Sequence, residues 1–245
     1  MTVVESVPLI HGPLVTSRLG RVLTIDITAP QATMVVARDS VLPRASLVVT
    51  TAARRMIELS KAGEKVEHIV ILGTGEDPIR HPNLREVTEN LRALRDKWFQ
   101  RAKLCIATRS VELEPYEVRS TLGMYDKVLV RFEWGTAKLF SAVTGEKGTS
   151  LASMTRALGQ LDHVIIEASF FKGDEDNTSA AEVGGWIKKV QEVRPQEVHV
   201  LAAPQYPQKK LRAATQKQRQ TIVEKLTEET GLTVSVHELE DLVPA

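Results

Sequence analysis

The sequence predicts an α/β fold in which parallel strands alternate with helices and close into a full or partial TIM-type barrel. Short apolar runs rich in β-branched residues alternate with longer segments of helical periodicity along most of the chain. Each run is nearly continuous in Val, Ile and Leu, as in parallel strands that are covered by helices. Repeated βα units with right-handed crossovers form either a barrel or a doubly wound sheet, and the pattern favours the barrel.

The elements follow one another in a regular order. The apolar runs predict six strands and a candidate seventh: Val22–Thr28, His68–Gly73, Lys103–Thr108, Lys127–Glu133, His163–Ser169, Glu197–Ala202 and Thr233–His237. Helices are predicted between them at Ala45–Ala62, Asn83–Arg101, Pro115–Leu122, Ser150–Gln160, Thr178–Val193 and Ala213–Thr230. Pro82 and Asn83 precede one helix and Gly231 follows the last, which are the residues that commonly bound helices.

Length and composition indicate one domain over residues 1–245. A chain of 245 residues with 42% hydrophobic residues is long and apolar enough for one large barrel. The net charge is +1, from 32 basic and 31 acidic residues, so no overall field attracts nucleic acid or an anionic membrane. The chain shows no signal-peptide pattern and no apolar run near the length of a membrane span, so we expect a cytoplasmic protein.

Two local features have simple explanations. The basic cluster from Lys209 to Arg219 alternates with Gln and lacks interleaved aromatic residues, so we interpret it as a solvated face rather than a nucleic-acid contact. The single cysteine, Cys105, lies inside the apolar run LCIA and is expected to be a small buried hydrophobe. One cysteine excludes an intrachain disulfide.

Three segments together resemble the radical S-adenosylmethionine superfamily, in particular its short members. They are GPLVTSRLGRVLTIDITAP (residues 12–30), GTGEDPIRHPNL (residues 73–84) and FFKGDEDN (residues 170–177), and the resemblance extends from Gly12 to about Leu226. It implies an open (β/α)6 barrel with outer helices. In that family a C-x-x-x-C-x-x-C motif follows the first segment, and its three thiolates hold a [4Fe–4S] cluster. The corresponding positions are Thr33, Ala37 and Ser40, none of which supplies a thiolate, so the resemblance implies a barrel without this cofactor.

The second segment contains candidate ligand-binding residues. Gly73, Gly75 and Glu76 match the family's G-x-G-E-P loop, whose backbone meets the methionine moiety of the cofactor, but Asp77 is inserted before the proline. Glycines at a strand end expose backbone groups to a small polar ligand. The alternative is a tight turn before the helix at Asn83, and the insertion favours that alternative.

Charged residues at the ends of the next two strands are the remaining candidates. The resemblance places Arg109, Arg131 and Glu133 where relatives carry smaller or neutral groups. Arg131 and Glu133 are two apart on a predicted strand and share a face, so we favour an internal salt bridge. The alternative is that Arg109 and Arg131 hold a phosphate or carboxylate ligand.

Other catalytic motifs are missing from the sequence. It contains no H-E-x-x-H, G-x-S-x-G, Walker A or paired C-x-x-C motif, and its six histidines are scattered. We therefore predict no metal site. His81 could pair with Glu76 for general acid–base chemistry, but a role at the start of the following helix explains it better.

These observations favour a catalytically inactive pseudoenzyme that acts as a binding or scaffold subunit with a protein partner. We expect neither a nucleic-acid nor a membrane partner. Two alternatives remain: a cluster-independent enzyme that uses Glu76, Arg109, Arg131 and Glu133, or a sensor of a small S-adenosylmethionine-like molecule at the barrel mouth. Because one barrel hosts many activities, the fold transfers from the resemblance more safely than the function.

Overall fold

The computed structural model describes residues 7–30, 42–109, 112–146, 151–204, 206 and 209–238. The chain forms two compact units. Unit 1 comprises Met1–Thr108, Met124–Val128 and Glu240–Ala245, and unit 2 comprises Arg109–Gly123 and Leu129–Leu239. The positions aligned with the cluster cysteines, Thr33, Ala37 and Ser40, lie outside the described residues. The single-domain interpretation stays a prediction.

Unit 1 contains the first βα units. Its elements are β1 (Ile10–Thr16), β2 (Gly20–Asp26), α1 (Ala45–Lys61), β3 (His68–Leu72), a 3₁₀ helix (Pro78–Arg80), α2 (Leu84–Trp98) and β4 (Lys103–Thr108). The strands lie in the order β1-β2-β3-β4, with β1 antiparallel to β2 and the others parallel. The register places Thr24, Val70 and Cys105 side by side, and helix α1 buries Val48, Ala52 and Met56, which lie on one helical face.

Unit 2 contains the later units. Its elements are α3 (Tyr116–Leu122), β5 (Lys127–Arg131, which begins in unit 1), α4 (Ala137–Thr144), α5 (Leu151–Leu158), β6 (Val164–Ser169), β7 (Phe171–Gly173), α6 (Ala180–Val193), β8 (Glu197–Leu201), β9 (Leu211–Ala213), α7 (Gln216–Thr230) and β10 (Thr233–His237). The order is β5-β6-β8-β10, in which β8 is parallel to both neighbours, while β7 and β9 form a separate antiparallel ribbon.

Every predicted strand is present, including the seventh, and the sheet of eight strands is mostly parallel. Strands β7 and β9 were not predicted, because three residues carry too little periodicity to stand out, and the eight-residue helix α4 was also missed. Strand β1 was also missed, because Gly12 and Pro13 interrupt its alternation at a register shift.

Two predicted boundaries were wrong in ways that matter for the site. Strand β5 ends at Arg131, so Glu133 lies beyond the strand rather than within it. Helix α7 begins at Gln216 rather than at Ala213, because β9 takes Leu211–Ala213. No described helix is both long and apolar enough to cross a membrane.

Candidate functional site

In unit 1, the end of β2 is organised around the carboxylate of Asp26, which is fully buried. Its Oδ1 accepts hydrogen bonds from the backbone N–H groups of Thr28, at 3.0 Å, and Thr74, at 3.2 Å. Its Oδ2 accepts a short hydrogen bond from the Thr74 hydroxyl. A buried carboxylate needs such donors, and here the chain itself supplies them.

The glycine-containing loop after β3 is closed onto Thr28. The Thr28 hydroxyl donates to the Glu76 carbonyl at 2.9 Å and accepts from the Glu76 N–H at 3.1 Å. A Cβ at Gly73 would overlap the Glu76 carbonyl oxygen, and a Cβ at Gly75 would lie 2.5 Å from the Thr28 carbonyl oxygen. The glycines therefore allow the backbone of this loop to lie close to the carbonyl groups of Glu76 and Thr28. This favours the tight-turn interpretation over the ligand-binding one.

Asp77 extends the same turn. Its carboxylate accepts from the Ile79 N–H at 3.1 Å, which caps the 3₁₀ helix, and from the Thr108 hydroxyl at 2.7 Å. The residue that looks inserted relative to the family motif therefore connects the β3 loop to the end of β4.

His81 does not form a hydrogen bond with Glu76 but holds the start of α2. It is buried, its Nε2 lies 2.9 Å from the Pro43 carbonyl oxygen, and its Nδ1 accepts from the Asn83 N–H at 3.2 Å. Since Nδ1 is the acceptor, Nε2 carries the proton and donates to Pro43. The structural interpretation of His81 is confirmed.

Cys105, predicted to be a small buried hydrophobe, is fully buried within β4. Burial raises the pKa of its thiol to about 12. The side chain is therefore neither a nucleophile nor a ready metal ligand, because both roles require the thiolate.

In unit 2, the Arg131–Glu133 pair favoured from the sequence is present. Arg131 Nη1 lies 3.6 Å from Glu133 Oε2, and the two side chains are 4% and 0% exposed. Burial by itself lowers the pKa of the Arg131 guanidinium, but the charges of Glu133 and Glu167 outweigh burial and raise it. Arg131 therefore stays charged inside the unit, beside acidic groups of the chain itself.

Two further residues, which the sequence interpretation missed, complete the site around Glu133. Its Oε2 accepts from the Ser169 hydroxyl, at 2.7 Å, and from the Ser169 N–H, while its Oε1 accepts a short hydrogen bond from the Tyr206 hydroxyl. Burial, followed by the charge of Glu133, raises the pKa of Tyr206, so the phenol stays protonated as a donor. These donors satisfy the buried carboxylate, and the charge of Arg131, whose Nη1 lies 3.6 Å away, balances it.

Asn177 fixes the backbone of the same site. Its Oδ1 accepts from the Phe171 N–H at 2.7 Å, and its Nδ2 donates to the carbonyls of Glu133 and Ser169 at 3.1 and 2.8 Å. Asn177 is therefore structural, although the GDEDN segment in isolation looks like a solvated acidic loop. Arg109 follows β4 as an exposed residue, and its charge tends to lower the pKa of Tyr206.

Ser169 could have been found in the sequence, because it lies two residues after Glu167 on one strand and so shares its face. Tyr206 carries no such signal, since no periodic element surrounds it and it lies 73 positions from Glu133. Among the described residues, no group of three His, Cys, Asp or Glu side chains is arranged to hold a metal ion.

No family model and no curated protein matches the sequence. Solved structures do match. A domain of the pyruvate-formate lyase-activating enzyme from Bacteroides vulgatus has a TM-score of 0.52 at 11% identity, over 69% of this chain and 98% of that chain. Streptococcus suis SuiB has a TM-score of 0.58 at 15% identity, over 82% of this chain and 44% of that chain, and SuiB bound to S-adenosylmethionine scores the same at 14% identity. The chain therefore spans less than half of SuiB, and the likeness concerns the fold: a partial TIM-type barrel like that of radical S-adenosylmethionine enzymes.

Proposed function

We propose that this chain, with its radical S-adenosylmethionine-type barrel, is a catalytically inactive pseudoenzyme that acts as a binding or scaffold subunit without a [4Fe–4S] cluster. The observation that carries the proposal is the state of its single thiol. Cys105 is buried in β4, and the pKa of its thiol is raised to about 12. A cluster site needs three thiolates that can reach one another at a loop, so the residues of this chain do not fit the group.

The two described sites support the same conclusion. In unit 1, the Thr74 N–H donates to Asp26 and the Glu76 N–H donates to the Thr28 hydroxyl. A loop of this kind would otherwise offer these N–H groups to a ligand. In unit 2, Glu133 lies beside Arg131 and accepts hydrogen bonds from Ser169 and Tyr206. A small anionic ligand would therefore have to compete with the chain's own carboxylates for these donors.

Anaerobic reconstitution with iron and sulfide tests the proposal. We expect no broad visible absorption and no stoichiometric iron in the purified chain, and the same result for the Cys105→Ala variant. A cluster with stoichiometric iron in the wild type would overturn the proposal.

Calorimetry with S-adenosylmethionine separates the proposal from a small-molecule sensor. We expect no binding at millimolar concentration, because an entering ligand must displace the hydrogen bonds between Thr28 and Glu76. The Thr28→Val variant lacks the hydroxyl that forms these hydrogen bonds. Saturable binding of S-adenosylmethionine to the wild type, with tighter binding to this variant, would favour the sensor. The scaffold role also requires a partner in the native cell, so a chain that is recovered only as a solitary monomer would contradict it.

A further inference from the structure

Strand β10 forms an edge of the eight-stranded sheet, and its outer side is unpaired. It is the last strand in the order and, among the described strands, pairs only with β8, in a parallel register over all five residues. The His237 carbonyl accepts from the Ala202 N–H at 2.8 Å, so the backbone groups of His237 face β8. Because backbone groups alternate in direction along a strand, those of Val234 and Val236 face outward. Within the described ranges, neither valine forms a backbone hydrogen bond on that side.

The side chains of β10 are also poorly covered. None of its five residues is buried, whereas four of the five residues of β8 are. Val236 is 45% exposed, although a β-branched residue of a strand usually packs against a neighbour. The edge therefore presents unpaired backbone groups together with an uncovered apolar side chain.

The first strand of the sheet, β1, is protected against association with another strand. Pro13 supplies no N–H, and the register of β1 is interrupted there. Arg55 Nη2 also donates to the Gly12 carbonyl at 2.9 Å. Proteins use proline, bulges and charged side chains to prevent pairing between exposed edges. Strand β10 contains no Pro, Lys, Arg, Asp or Glu and no register shift, so its edge remains able to pair.

The polar side chains of β10 are held within unit 2. Ser235 Oγ lies 2.7 Å from His237 Nε2, and the His237 ring packs edge-on against His199 with 5.0 Å between the ring centroids. These contacts hold the strand in an extended conformation before any partner binds. Recognition at this edge is therefore left to the backbone groups and the valines.

We infer that β10 pairs with β10 of a second copy of this chain, antiparallel, about a twofold axis between the two Ser235 residues. The segment V-S-V reads the same in both directions, so this register pairs all five residues of each strand. Val234 and Val236 of the second copy then exchange both backbone hydrogen bonds, and the reverse pair does the same. No like charges meet, because the strand carries no Lys, Arg, Asp or Glu. The inference goes beyond the proposed function, since it concerns association of the chain with itself.

Sedimentation velocity of the full chain, from micromolar to millimolar concentration, tests the association. We expect a reversible monomer–dimer equilibrium, because the pairing of one short strand buries less area than a permanent interface. Val236→Lys should weaken the dimer at least about tenfold, since it places a charge on the edge and removes an apolar contact. The matched control is Val15→Lys, which changes a valine of β1 that is 76% exposed and should leave the equilibrium unchanged. Circular dichroism checks that both variants are folded.

Disulfide cross-linking tests the register. Ser235→Cys should give a disulfide-linked dimer under mild oxidation, because the two residues face each other in a non-hydrogen-bonded pair with Cα atoms about 4.5 Å apart. Thr233→Cys is the control, on the same face and more exposed. It should not cross-link, because its two copies would lie about 14 Å apart along the strands. Cys105 is buried and should not react in either variant.

Three outcomes would each overturn the inference. They are a wild type that stays monomeric at every concentration, equal weakening of the dimer by Val236→Lys and Val15→Lys, and equal cross-linking of Ser235→Cys and Thr233→Cys. A wild type that is monomeric and instead binds an extended peptide of another protein at β10 would also contradict pairing between copies. Iron reconstitution reports on the pseudoenzyme proposal independently, so the two can fail separately.

Discussion

Replacing Glu133 by glutamine tests whether the Arg131–Glu133 pair is a structural part of the fold. The pair is separated by 3.6 Å with side chains 4% and 0% exposed. Coulomb's law at an effective dielectric of about 20 gives roughly 4–5 kcal/mol for unit charges at that distance. The Ser169 donors still reach the glutamine oxygen and Glu167 still acts on Arg131, so we expect a loss of about 3 kcal/mol in the free energy of unfolding.

Urea denaturation followed by circular dichroism measures this loss. With an m-value near 3 kcal/mol/M, the midpoint should fall by about 1 M. The control is Glu89→Gln, which breaks the exposed Arg85–Glu89 pair, with side chains 61% and 51% exposed, and should cost less than about 0.5 kcal/mol. The double variant Arg131→Met/Glu133→Leu should be more stable than the sum of its single changes predicts, because no buried charge is left alone.

A Glu133→Gln variant within about 1 kcal/mol of the wild type, or additive effects of Arg131→Met and Glu133→Leu, would contradict a structural role for the pair. Either of these two outcomes would favour the alternative in which Arg109 and Arg131 hold an anionic ligand. Inorganic phosphate would then raise the unfolding temperature of the wild type, and Arg109→Ala would abolish that increase.

Three further predictions concern unit 1. Asp77→Ala should lower the free energy of unfolding by about 1–2 kcal/mol, because the 3₁₀ helix loses its cap and the Thr108 hydroxyl loses its acceptor. Thermal denaturation measures this loss, and an unchanged stability would contradict the structural role of Asp77. Cys105 should resist maleimide at pH 8 in the native state and react completely in guanidinium chloride, since its thiol is buried with a pKa raised to about 12; rapid native labelling would contradict its burial. Burial tends to raise the pKa of Asp126, but hydrogen bonds from the Leu104 N–H and Arg95 outweigh burial and lower it. The stability that this carboxylate contributes is therefore present above its unfolded pKa near 3.9 and is lost as the pH falls through the lower folded value, so Asp126→Asn should flatten the acid limb of a stability–pH curve.

The strands and most helices could be predicted because their signals are local. The apolar runs of β3 and β6 are set by neighbouring residues, and the structure contains both within a residue or two of the predicted bounds. The Arg131–Glu133 pair predicted from the sequence is present, although the strand ends at Arg131 and Glu133 follows it, so the strand spacing on which the prediction was based does not itself explain the contact.

The rest of the candidate site depends on contacts between distant parts of the chain. Thr28 meets Glu76 across 48 positions, and Tyr206 meets Glu133 across 73. No periodicity or motif spacing encodes such pairs, because the side chains are brought together only when strands and loops pack. The structural roles of Asp77 and Asn177 were missed or misjudged for the same reason, whereas Ser169 shares a strand face with Glu167.

The α/β alternation, and the presence of a single cysteine within an apolar run, follow from the order of residues along the chain. Both depend on residue type and on near neighbours. The use of the acidic groups depends instead on the folded chain: Asp26 and Glu133 are buried and accept hydrogen bonds from donors of the chain itself. A carboxylate can be removed from water only where several donors converge, and these donors come together only when distant segments pack.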